Sequence, residues 1–71
     1  MSYEEAVDVQ RRHEGRLLHL PGVTSVGVKR SGDDLVLEVA VDPDAAVPAE
    51  LDVAELDGLP LKVERRRYDL Q

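Results

Sequence analysis

Residues Leu35-Val36-Leu37-Glu38-Val39-Ala40-Val41 constrain this chain most. Leu35, Leu37, Val39 and Val41 alternate with Val36, Glu38, Ala40 and Asp42. That period of two marks a strand with one buried face. Asp42-Pro43 stops the run, because proline cannot donate to a strand ladder. An isolated strand is not stable in water, so the remaining residues must supply partner strands and a layer to cover the apolar side.

The covering layer is written upstream. Ser2 followed by Glu5 is a capping box, and Glu4 and Glu5 suit the positive end of a helix dipole. Ala6, Val9, His13, Leu17 and Leu20 then recur every three or four residues, one stripe of an amphipathic helix. Pro21-Gly22 ends it, so a helix is predicted over about residues 3 to 19. From Val23 to Arg30 the period becomes two, with Val26 and Val28 inward and Ser25, Gly27 and Lys29 outward. Ser31-Gly32-Asp33-Asp34 is a turn cluster that closes a hairpin onto the strand described above.

Downstream, residues 43–50 read as loop. Pro48 suits the first turn of a second helix, Leu51, Ala54 and Leu56 give it an apolar stripe, and Asp57-Gly58 terminates it. A last strand follows, with Leu59, Leu61 and Val63 inward and Lys62, Glu64 and Arg66 outward. Residues 66–71 read as a loose C-terminal tail of a single domain spanning 1–71. The expected fold is α+β: an α-β-β-α-β two-layer sandwich, ferredoxin-like without its first strand. Its three-stranded antiparallel sheet would carry both helices on one face.

Composition narrows function more than it assigns it. With no cysteine there is neither a disulfide nor a thiolate metal site, and an aliphatic core must do the stabilising. A net charge of −6 repels phosphate backbones, and Tyr3 and Tyr68 alone make no stacking platform, so nucleic acid is not an expected partner. No apolar run approaches the roughly 18–20 residues of a membrane span. The acidic start Met1-Ser2-Tyr3-Glu4-Glu5 is unlike a signal peptide, so the expected location is cytoplasmic.

No constellation points to catalysis or a cofactor. His13 and His19 diverge by about 120° on one helix and cannot share a metal. His13 reads as a part-buried spacer and His19 as a helix C-terminal cap. Ser25 and Ser31 lack a nucleophile turn or oxyanion loop, so a Ser-His-Asp site is not expected. The acidic residues between Asp42 and Asp57 lack calcium-loop spacing and read as a solvated face. Lys62, Arg65, Arg66 and Arg67 are split between the two sides of a strand. Catalytic, cofactor and metal residues are therefore expected to be none. The surface of interest is the outer sheet face, where Ser25 and Gly27 lie beside Val36 and Ala40 with Glu38 next to them, together with Arg66, Arg67 and Tyr68 at the strand end.

Arg12-His13-Glu14, Leu17-Leu18, Leu20-Pro21-Gly22-Val23 and Val26-Gly27-Val28 resemble a small bacterial domain. It is found alone or N-terminal to trypsin-like serine proteases, and its proteins are largely uncharacterised. Val47-Pro48-Ala49-Glu50-Leu51 and Asp57-Gly58-Leu59-Pro60-Leu61-Lys62-Val63 resemble its closing segment, so the likeness covers about residues 11 to 64. Lys29 departs from its pattern, and residues 52–56 look like an insertion. The likeness implies a fold and no catalytic residues. Two roles are expected. One is a non-catalytic protein-interaction domain acting through its sheet edge or outer face, as a homodimer or with another protein. The other is a serine-peptidase inhibitor or prodomain-like chaperone that presents Arg66, Arg67 and Tyr68, since subtilisin-type propeptides resemble this arrangement.

Overall fold

The computed structural model describes residues 1–66. Helix α1 (Tyr3–Leu18) is followed by β1 (Val23–Ser31), β2 (Asp34–Val41), a 3-10 turn (Ala49–Leu51), β3 (Glu55–Leu56) and β4 (Leu59–Arg65). The strands form one mixed sheet in the order β1-β2-β4-β3, an α+β fold.

Helix α1 starts where its capping box sits. The Glu5 N–H donates to Ser2 Oγ at 3.2 Å and the Ser2 N–H donates to Glu5 Oε1 at 3.3 Å. The Ser2 backbone N–H, and after it the Ser2 side chain, hold the Glu5 carboxyl below its ordinary range. Ala6, Val9 and Leu17 are buried against the sheet, and His13, on the same stripe, is half-buried. At the other end the His19 side chain donates from Nδ1 to the Gly15 carbonyl at 2.7 Å, since a carbonyl can only accept.

Leu37, Val39 and Val41 of β2 meet α1 in the core. Strand β1 pairs with β2 antiparallel through Val26↔Val39 and Val28↔Leu37. The hairpin turn has a positive φ of 62° at Gly32, its first central residue, which suits a type II′ turn. Gly22, at the helix-to-strand corner, has φ 84°, and its carbonyl accepts from the Asp42 N–H at 2.8 Å. A Cβ at Gly22 would stand 2.6 Å from Ala45 Cβ, so the corner admits only glycine without displacement.

Two expectations are corrected. The second helix is a single 3-10 turn, because residues 52–58 are used differently. The Ala54 carbonyl accepts from the Leu61 N–H at 3.0 Å, and Glu55 and Leu56 pair with Pro60 and Leu59 as β3. Only Leu51 of the expected stripe is buried, and a three-residue segment cannot repay helix nucleation. Asp57-Gly58, read as a helix stop, is the tight turn between β3 and β4, with φ values of 50° and 85°. That is the two-residue type I′ pattern.

The second correction concerns strand direction and number. Strand β4 lies beside β2 in parallel, with Leu37↔Leu61 and Val39↔Val63 facing the core. The sheet is therefore four-stranded and mixed, not three-stranded and antiparallel, and the ferredoxin-like arrangement is not reproduced element for element. Residues 42–58 supply the crossover that a parallel pair requires. Arg65 braces that crossover: its Nη1 donates to the carbonyls of Pro43 at 3.1 Å and Ala45 at 3.5 Å.

Candidate functional site

Helix α1 packs on one side of β1 and β2, so the sheet's other side is the outer face anticipated from the alternation. The register arranges it in rows. Ser25, Ala40 and Glu64 form one row, Gly27, Glu38 and Lys62 the next, and Lys29 lies beside Val36 in a third. Ser25, Gly27, Val36, Glu38 and Ala40 thus share one surface, and Arg66 joins them by pairing its Nη2 with Glu38 Oε1 at 3.5 Å. Lys62 Nζ pairs with Glu64 Oε1 at 3.0 Å along β4.

The face is not uniformly available. Ala40 is 1% exposed, and the Arg66 side chain must cross the Ala40–Glu64 row to reach Glu38, whose own side chain is 13% exposed. Ala40 therefore sets the depth of the face and offers no contact of its own, which corrects its place among the surface residues. Gly27 lies in a strand interior without a positive φ, and a Cβ there would meet nothing within 4 Å. Arg67 and Tyr68 lie outside the described residues.

The sheet edges offer less. Strand β3 is two residues long, and β1 is blunted by the Gln10 side chain, whose Nε2 donates to the Val26 carbonyl at 3.3 Å. Lys29 and Arg30 add exposed charge on the same strand, a common protection against strand addition.

A second cluster went unanticipated. Asp57 Oδ2 lies 2.8 Å from His13 Nε2 and 3.5 Å from Arg12 Nη1, while Arg16 Nη2 lies 2.9 Å from His13 Nδ1. A guanidinium only donates, so His13 Nδ1 is the acceptor, and Nε2 carries the proton that it donates to Asp57. That hydrogen bond, reinforced by the Arg12 charge, holds the Asp57 carboxyl below its ordinary value of 3.8. The Arg12-His13-Glu14 stretch and the Asp57-Gly58 stretch are therefore in contact, 44 residues apart between His13 and Asp57. The Asp-Gly dipeptide before an alternating run was the signal for this turn, since it is a strong hairpin marker.

Chemically, this cluster is a brace between α1 and the β3–β4 turn. Acyl transfer from it would need a hydroxyl at His13, and the register puts Ser25 and Ser31 on the outer face, across the sheet from α1. Among the described residues no three His, Cys, Asp or Glu side chains gather to hold a metal ion. A cleft of about 320 Å³ between the two hairpin turns is lined by Met1, Asp33, Asp34, Leu35 and residues 58–60, without a basic or nucleophilic side chain. Among the described residues, no helix is long and apolar enough to cross a membrane.

Comparison of the chain with family models, with curated proteins and with solved structures finds no match.

Proposed function

We propose that this chain is a non-catalytic protein-interaction domain whose contact surface is the outer face of the sheet. Gly27 carries the reading. Glycine inside a strand costs about 0.5–1 kcal/mol relative to alanine. Here neither φ nor crowding asks for it, since a Cβ would meet empty space. A glycine without an internal reason, flanked by Ser25 and Lys29 along β1 and by Glu38 across on β2, leaves a shallow place where another surface can approach closely. The blunted β1 edge favours the face over strand addition.

The test is a photo-crosslinking amino acid at Val36, on this face, with the same residue at Val53 on the crossover as control. In cells producing the full chain, adducts are expected from Val36 and not from Val53. Equal yields at both positions, or none at Val36, would remove the support for this surface.

A further inference from the structure

We infer that the occupant of the outer face is a second copy of this chain, packed face to face about a two-fold axis that runs across the strands between Lys62 and Glu64. This rests on the proposed contact surface and goes further by naming the partner.

Charge selects the copy. The chain as a whole carries −6, so two copies repel through most of their surfaces. On the outer face the signs cancel: Lys29, Lys62 and Arg66 stand against Asp34, Glu38 and Glu64. A strongly acidic or strongly basic partner would meet repulsion from half of these groups, whereas a surface with the same mixed pattern need not.

Geometry fixes the axis. Lys62 and Glu64 are two residues apart on β4, point to the same side, and keep 56% and 31% of their side-chain surface exposed. A two-fold axis across the strand between them sets each Lys62 opposite the other copy's Glu64, extending the 3.0 Å pair into a closed cycle of four charges. The same operation lays Gly27 against Ser25 of the second copy, because these residues occupy the corresponding rows on β1. Small against small there lets the sheets approach, and aligned face-to-face packing is an ordinary sheet arrangement. Three strands of seven to nine residues cover a few hundred Å² per copy, the small end of specific interfaces, so association is weak.

Sedimentation of the full chain from micromolar to millimolar concentration tests this. The weight-average mass is expected to rise from 7.9 kDa toward twice that value. Lys62→Glu and Glu64→Lys each place like charges opposite one another, so each variant alone should stay at the monomer mass. Their equimolar mixture should regain the dimer, since every facing pair is then opposite in sign. Circular dichroism of each variant checks that the fold is kept. A wild-type chain at monomer mass throughout, or a dimer indifferent to both substitutions, overturns the inference. Val36 adducts with a different protein, beside a monomeric wild type, would overturn self-association and leave the contact surface standing.

Discussion

His13 Nε2 stands 2.8 Å from Asp57 Oδ2 and ties the middle of α1 to the turn that starts β4. Three elements of chemistry meet there. The turn needs a residue tolerant of positive φ, the helix presents an imidazole, and Arg16 at 2.9 Å from Nδ1 fixes which ring nitrogen bears the proton.

Asp57→Asn keeps the turn, since asparagine also accepts a positive φ, and removes only the charge. It should lower Tm slightly at neutral pH. The folded carboxyl is held below its ordinary value of 3.8, so its stabilisation is complete above that pH and is lost as pH falls through the lower folded value. Thermal melts of wild type and variant should therefore converge below about pH 4. A gap that persists into strong acid would show that the charge is not its source. Nitrogen NMR should find the neutral form of the His13 ring with its proton on Nε2 and Nδ1 bare.

Gly22→Ala should destabilise the fold by about 1–3 kcal/mol, from positive φ together with overpacking. The new Cβ would sit 2.6 Å from Ala45 Cβ. Adding Ala45→Gly should recover the crowding part and leave the backbone part, which a double-mutant cycle in urea separates. No recovery would place the whole cost in the backbone.

Gly27→Thr should behave in the opposite way. Its Cβ meets nothing within 4 Å, and a β-branched residue suits a strand, so stability should rise by about 0.5–1 kcal/mol. Self-association should weaken in the same variant. A gain in stability with unchanged association would leave the glycine unexplained by the proposed contact.

Leu37→Ala removes a side chain with 0% exposure from the junction of α1, β1 and β4. The expected cost is about 2–5 kcal/mol. A single core in a chain of this length supplies only about 3–5 kcal/mol, comparable to that cost, so the variant should be largely unfolded at 37 °C by circular dichroism.

Much of this was legible in the residues because it is local. The capping box at Ser2 and Glu5, the stripe through Leu17 and the alternation of β1 and β2 each repeat within a few positions. Alternation also placed Gly27 and Glu38 on one surface before any register was known. Strand direction was not legible, since parallel and antiparallel pairing turn the same Leu61 and Val63 inward. The near-continuous apolar run of β2 hinted at a central strand, as parallel pairing favours. The His13–Asp57 contact joins distant segments and leaves no periodic trace. Asp57-Gly58 fits either a helix stop or a hairpin, and only the tertiary partner of Asp57 decides between them.

The placement of β4 has a consequence for biosynthesis. On a ribosome, α1, β1 and β2 emerge first and can pair, yet one side of β2 stays open until Leu59–Arg65 have left the exit tunnel. During that interval one edge of the most apolar strand is unpaired along its length, a template for neighbouring nascent chains. Whatever delays the docking of Leu59–Arg65 lengthens that window.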